Sequence, residues 1–445
     1  MGAAQGLSWL PIIARTANHL RNRQSVIRHL QSGLMRPGSH ARLALLLLTA
    51  LNFLNYIDRS VLFAVQPLVQ AEFHRSDAQF GFLTTAFFLC YMVAAPVMGL
   101  LADRYPRRVI IITGAVVWSI ATMLTAVTYS FDALLLRHAI VGIGEATFVT
   151  IAPSFLADLF GEEKRGRIFS LFYIAIPVGT ALGYIVGGQL GPRYGWRAPF
   201  YVAGLPGMAL ALLLLLVPEP ERGRCDRLAE TTERRSLRGL ARNPAFWTAT
   251  LGMAMMTFAL GGLSVWMPTF LSRVRHYPLQ HANQLFGVIT AFNGTVATLV
   301  GGWLGDRLLR RTASAYYLLS AASMTLGIPA MILALYFTGR VMFPAIFAAE
   351  FLLLLNTGPL NAAVVNSVGA HIRSTAVAVN LFTIHLLGDA LSPTLIGYIS
   401  DRSSLQSGFR SAVVAIALSS AVLFFGMKFA PPVAVNEGQT ASERP

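Results

Sequence analysis

Gly99-Leu-Leu-Ala-Asp103-Arg104-Tyr-Pro-Arg107-Arg108 stands in the first half of the chain, and Gly302-Trp-Leu-Gly-Asp306-Arg307-Leu-Leu-Arg310-Arg311 answers it in the second. The Gly-to-Asp spacing is four in both, and each copy falls between the second and third apolar runs of its half. Glycine lets neighbouring helices approach closely in lipid, and an Asp followed by a tight basic turn suits the end of a spanning helix. One Asp-Arg at a helix end is a common anchor; two copies in register mark a duplicated unit. A duplicated six-span unit is the architecture of alternating access, with the solute bound between the halves.

The surrounding sequence has the composition this requires. Of 445 residues, 55% are hydrophobic and only 12% charged, at a mean hydropathy of +0.58. A soluble domain carries roughly 25% charged residues, so the polar material to cover a water-facing surface is missing. Apolar runs long enough for the ~20 residues of a spanning helix fall at 43–66, 79–102, 108–130, 133–157, 167–190 and 199–217, then at 245–271, 283–305, 313–336, 343–367, 375–399 and 408–429. The expected fold is an all-α integral membrane protein, twelve transmembrane helices in two pseudo-symmetric six-helix bundles. The expected division is a basic tail (1–42), an N-terminal bundle (43–217), a polar linker (218–244), a C-terminal bundle (245–429) and a short tail (430–445).

The net charge of +15 could suit a nucleic-acid binder, but the positive charge lies in the loops between apolar runs. Counted by side, seventeen Lys and Arg fall on the face of the duplicated loops and eight on the other. That asymmetry places the duplicated loops and both termini in the cytoplasm. The first forty residues hold Arg15, Arg21, Arg23, Arg28 and Arg36, and no acid precedes Asp58. Without an uninterrupted apolar segment this is no secretory signal; a lipid-bound basic tail, an over-long start and an organellar presequence all fit. Two cysteines, Cys90 and Cys225, imply no disulfide framework.

The duplicated loop resembles the G-x-L-x-D-R-x-G-R-R motif of the major facilitator superfamily, departing at Pro106, where glycine is usual and the turn is therefore stiffer. Arg137-x4-Gly142-x-Gly144 on span four is similar to a second motif of that superfamily. Span five, Gly179-x3-Gly183-x3-Gly187-Gly188, has Tyr184 where drug antiporters have proline, so it reads as a packing seam. Within the superfamily the chain resembles the Spinster family. The strings that carry this are Asn55-Tyr-Ile-Asp58-Arg59, Gly142-Ile-Gly-Glu145-Ala146 with Ile151-Ala-Pro153-Ser154, and His385-Leu-Leu-Gly388-Asp389-Ala390-x-Ser392-Pro393. The resemblance implies a major facilitator fold and a lysophospholipid or sphingoid-phosphate cargo. It makes Asp103, Arg104, Arg107 and Arg108 brace a cytoplasmic gate, with Asp306 and Arg310 as counterparts.

Charges inside spans are costly, from ~3 to over 10 kcal/mol at the bilayer centre, and are functional candidates by default. Here they are Asp58, Arg59, Arg137, Glu145, Glu350, His385 and Asp389. Adjacent residues on a helix point ~100° apart, so Asp58 and Arg59 cannot share one contact surface. Glu350, Thr357 and Asn361 follow one line on span ten, and His385, Asp389 and Ser392 one line on span eleven. In the superfamily, spans one, four, seven and ten line the cavity, which by carry-over gathers Asp58, Arg59, Arg137, Glu145, Glu350 and Asn361 there. Asp58 and Arg137 are the expected proton-coupling pair, and Asp389 either lines the cavity or bonds span two near Asp103. Gly261-Gly262, Ser264, Trp266 and Pro268 on span seven suggest a flexible outer gate.

No phosphate-binding G-x4-G-K-[ST] loop occurs, so ATP-driven pumping is not expected. Neither Gly-x-Ser-x-Gly nor His-Glu-x-x-His supports a membrane-embedded enzyme, and a six-plus-six repeat has no purpose in a receptor. The expectation is a monomeric, proton-coupled carrier of a bacterial inner membrane for an amphipathic, lipid-like solute. It needs no metal or cofactor and binds no nucleic acid. Export of drug-like amphiphiles and carriage of small organic anions are the alternatives.

Overall fold

The computed structural model describes residues 37–222, 237–369 and 372–431. Residues 1–36 of the basic N-terminal tail, residues 223–236 of the polar linker with Cys225, and residues 432–445 lie outside the described residues. Within them, twelve helices are long and apolar enough to cross a membrane: Ser39–Ala64, Asp77–Arg104, Arg107–Thr125, Phe131–Leu159, Arg167–Tyr194, Ala198–Leu216, Pro244–Arg273, Leu279–Leu309, Ala315–Tyr336, Gly339–Asn366, Thr375–Arg402 and Leu405–Phe429. We number them spans 1 to 12. Because the count is even, both ends of the helical body share one face with the duplicated loops, which we call the terminal face; the opposite one is the far face.

Local chemistry sets the helix ends. Ser76 and Gln79 form a reciprocal capping box at the start of span 2, Ser130 accepts from the Ala133 amide at span 4, and Asn243 accepts from the Phe246 amide ahead of Pro244 at span 7. Such caps satisfy amides that the helix leaves unpaired. The first helix begins at Pro37, earlier than hydropathy alone predicts, and span 5 is interrupted between Tyr173 and Ala175. Leu46, Leu100, Leu136 and Leu299 are left exposed, as a lipid-facing surface requires.

Two seams join the halves, and glycine makes both. Along spans 5 and 8, a Cβ on Gly188 would stand 2.6 Å from the Asn283 Cβ, and one on Gly287 would stand 3.1 Å from the Ala181 carbonyl oxygen. Along spans 2 and 11, Gly81 lies against the Pro393 carbonyl and Gly397 against the Asp77 carbonyl, each too close for any side chain. Inside the N-terminal half, the Gly179 and Gly183 periodicity packs on the span 1 backbone at Phe53 and Ile57. The packing reading of span 5 therefore has a specific partner.

Polar contacts close the far face between the halves. Both Asp77 carboxylate oxygens accept from Arg273 Nη1 of span 7 at 2.8 Å, and Gln70 Nε2 and the Ser400 hydroxyl of span 11 also donate to them, at 2.8 and 2.5 Å. Asp401 reciprocates by accepting from the Asp77 and Ala78 amides, 2.8 and 3.0 Å away, so a residue of one half caps a helix of the other. Asn283 donates to the Ala64 carbonyl at 3.0 Å.

Because the neighbours of Gly81 are backbone, a side chain there has to part the seam. In a protein with Cys90 and Cys225 replaced by Ser, a cysteine at position 84 is expected to react several times faster with a membrane-impermeant maleimide from the far face once Gly81→Val is added. An unchanged rate would show that the seam absorbs the side chain without opening.

Candidate functional site

The seams enclose a cavity of about 260 Å³ at mid-membrane, lined from both halves. Its N-terminal wall is built around Arg59. The Arg59 Nε donates to Glu145 Oε2 at 2.5 Å, and the glutamate is fully buried on span 4. Four aromatic rings surround the guanidinium, with centroids 5.1 Å (Tyr56), 4.9 Å (Phe87), 5.9 Å (Phe88) and 5.3 Å (Tyr91) away. A guanidinium cannot shed its charge, and a carboxylate with a ring of π faces is what makes its burial tolerable. The Arg59 Nη2 has no hydrogen-bond partner. His138 closes this wall, its ring 5.2 Å from that of Phe87.

The C-terminal wall comes from spans 7 and 11. Thr257, Leu260, Gly261, Ser264 and Val265 line it, and Asp389 brings a carboxylate into it. Span 11 departs from α-helix at His385–Asp389, where Gly388 has non-helical torsions (φ −99°, ψ −106°). His385 Nδ1 lies 3.0 and 3.1 Å from the two Asp389 oxygens, and its ring stacks on Phe88 at 5.5 Å. The same span 2 aromatics therefore contact the charge centres of both halves. Tyr184 donates to the Ser264 carbonyl across the halves at 2.6 Å.

Not every expected residue reaches this cavity. Asp58 points away from it, as the angle between neighbours requires, and its Oδ2 accepts from the Thr122 hydroxyl of span 3. Arg137 donates to the Leu124 carbonyl and the Thr128 hydroxyl at the far-face end of span 3, so it neither lines the cavity nor faces Asp58. Glu350 is turned to span 8, accepting from Thr290 at 2.8 Å and Asn293 at 3.2 Å. Asn361 is exposed and returns its amide to the Thr357 carbonyl one turn back. Ser392 is buried against span 7 beside Gly261, while Asp389 lies in the cavity wall and not near Asp103.

The duplicated loops lie on the terminal face. Arg107 pairs with Asp158 at 2.6 Å, and Glu219, just past span 6, accepts from the Arg107 and Arg108 amides at 3.1 and 2.8 Å. Arg222 donates to the Ala102, Asp103 and Tyr105 carbonyls. A carboxylate thus caps the N-terminus of span 3 and a guanidinium the C-terminus of span 2, each matched to its helix dipole. Asp103, Arg104 and Arg310 are exposed, and Asp306 accepts from Tyr316 at 2.8 Å.

Residues 48–393 match the Major Facilitator Superfamily. The chain is 36% identical over 385 residues to protein spinster homolog 3 of Danio rerio, across 81% of this chain and 77% of that one. It belongs to the Spinster family of major facilitator transporters. It is a transporter and not an enzyme. Another Spinster-type relative, the sphingosine-1-phosphate transporter SPNS2 of Xenopus tropicalis, is 36% identical across 79% of this chain and 72% of its own. Among solved structures, an inward-facing, unoccupied bacterial homolog of the human lysosomal transporter Spinster superposes with a TM-score of 0.81 at 26% identity, covering 88% of this chain and 98% of that one.

For this Spinster-family chain the aromatic cage, His138 and Asp77–Arg273 escaped the sequence reading. Tyr91 follows Phe87 by four residues and Phe88 by three, and those spacings, which bring side chains together on a helix, were the available signal. Removing one partner of a buried ion pair costs about 3 kcal/mol. Arg59→Met and Glu145→Leu are each expected to lower the thermal stability of the purified protein markedly. The double variant should recover at least ~1 kcal/mol relative to their sum, and strict additivity would show that the pair is not coupled.

Proposed function

We propose that this Spinster-family chain is a proton-coupled secondary carrier of an amphipathic, lipid-like solute, of the lysophospholipid or sphingoid-phosphate type. The observation that carries the reading is the central cavity, where the caged Arg59 guanidinium forms part of the wall of a largely apolar enclosure. The cation suits an anionic headgroup and the apolar walls suit an acyl chain. The chain works as a monomer in a bacterial inner membrane, with its termini in the cytoplasm, by the loop-charge asymmetry. The far face, which the seams close, is then periplasmic. A relative named for sphingosine-1-phosphate transport supports the lipid class.

The proton role falls to Asp58 and Glu145 in this reading, since Arg137 is engaged elsewhere. Asp58 is held by the Thr122 hydroxyl. A hydroxyl donates to a carboxylate and accepts from a carboxylic acid, so Asp58 keeps its partner in either protonation state. Glu145, protonated as the halves rock, releases Arg59 for the headgroup; ionised, it reclaims Arg59 and the headgroup leaves.

Entry of labelled lysolipid into proteoliposomes tests this. Wild-type uptake is expected to rise with an imposed pH gradient. Asp58→Asn is expected to lose the gradient-driven accumulation and to keep gradient-free exchange, and an Asp58→Asn carrier with undiminished gradient-driven uptake would sink the coupling assignment.

A further inference from the structure

The far-face ends of spans 7 to 12 carry Arg273, Arg275, Arg340, Arg402 and Arg410, against the carboxylate of Asp401 alone. Arg273 pairs with Asp77, and Asp401 is engaged by the amides that begin span 2. Arg402 lies over the Tyr398 ring, and Arg410 donates to the Tyr336 hydroxyl at 2.8 Å. Among the described residues, no carboxylate stands within ion-pair distance of Arg275 or Arg340. The N-terminal half differs, for its far-face Arg197 meets Glu72 at 2.6 Å.

Arg275 borders a recess of about 180 Å³, separate from the central cavity. Arg275, His276 and Tyr277 line it from the end of span 7, and Thr338, Gly339 and Met342 from the start of span 10. Arg340 is exposed between the last two in the chain. The Arg275 guanidinium is held by neutral groups: Nη2 donates to the Leu335 carbonyl of span 9, and the Phe270 ring centroid is 5.1 Å away. Its charge therefore stays uncompensated. His276 is left-handed (φ 58°), which costs a non-glycine residue about 1 kcal/mol. The turn that holds it there, closed by the Tyr277 amide on the Leu271 carbonyl at 3.0 Å, gathers three side chains at the recess. Span 10 opens at Gly339, so the positive end of its dipole adds to the two guanidiniums.

The rim is apolar. Phe337 and Val341 are about half exposed, and Tyr277 packs edge-on against Phe343. Aromatic residues at the end of a span lie at headgroup depth. We propose that the recess is a phosphate-binding site, occupied by the headgroup of an anionic phospholipid of the far leaflet. Arg275 binds a phosphate oxygen, Arg340 adds charge from the rim, and the acyl chains pass over Phe337 and Val341. The occupant is a resident lipid joining the ends of spans 7 and 10, and not the solute carried. Inorganic phosphate offers the same headgroup chemistry without the chains.

Native mass spectrometry of the purified full chain, titrated with phosphatidylglycerol or phosphatidylcholine of equal acyl length, tests the site. The first phosphatidylglycerol is expected to bind about tenfold more tightly than the first phosphatidylcholine, the size of one charge-assisted hydrogen bond. Arg275→Gln should weaken that first lipid by about tenfold and Arg340→Gln by about threefold. Arg402→Gln removes the same charge from the same face outside the recess and should change it by less than about twofold. Unaltered binding of the later, weaker lipids certifies the fold of each variant. Arg340 is exposed, so its variant keeps the test decisive should Arg275→Gln not fold. An equal concentration of inorganic phosphate should leave the first lipid in place. If phosphate displaces it, the lipid occupant is overturned and the recess belongs to the free anion. Equal affinity for the two lipids, or a loss in Arg340→Gln no greater than in Arg402→Gln, overturns the site itself. Neither result bears on the cargo of the central cavity.

Discussion

Arg59 sets the terms for the centre of the molecule. Its charge cannot be removed by protonation chemistry, so a guanidinium at mid-membrane must be matched by structure. Glu145 supplies the countercharge, and Tyr56, Phe87, Phe88 and Tyr91 supply π faces in place of water. Those rings come from spans 1 and 2, so the cage ties the two helices together around the charge. Because Phe88 and Tyr91 also meet His385, the electrostatics of one half and the packing of the other share the same side chains. A change in what Arg59 holds is therefore felt at the interface between the halves without any long relay.

Glycine determines where that interface lies. Gly81, Gly397, Gly188 and Gly287 bring backbones together on the far-face side of the cavity, and ion pairing at Asp77 and Arg273 finishes the closure. Small residues give close contact without strong attraction in lipid, so the seams are tight but not welded. This suits a body whose halves must separate there and meet elsewhere.

Much of this was legible in the sequence. Hydropathy and the paired Gly-x3-Asp-Arg loops sufficed for the twelve spans and the halves, because a membrane forces apolar length and a duplication repeats its punctuation. The ionisable residues inside spans were also visible as anomalies, and Arg59, Glu145 and Asp389 do converge on the cavity region. Their partners were not legible. Arg137 looked central because a buried cation demands an acceptor, yet backbone and hydroxyl oxygens at Leu124 and Thr128 meet that demand. Nothing local distinguishes that solution from a carboxylate across a cavity. The orientation of Asp389 depends on a helix interruption at Gly388, and periodicity assumes an unbroken helix. Pro106, read as a stiffened turn, acquires its context only with Glu219 and Arg222, which lie more than a hundred residues away in sequence.

The cap that Asp401 places on span 2 has a consequence for motion. Two amides at the tip of that helix take their acceptor from the opposite half. When the halves part on the far face, those amides must turn to water, and the first turn of span 2 is left to its own Ser76 box. Separation therefore requires hydration: a dry cleft would strand the amides, whereas a wetted one replaces each lost bond as it breaks. Water entering between the halves on the far face is accordingly a participant in the opening, as much a lubricant of the movement as a result of it.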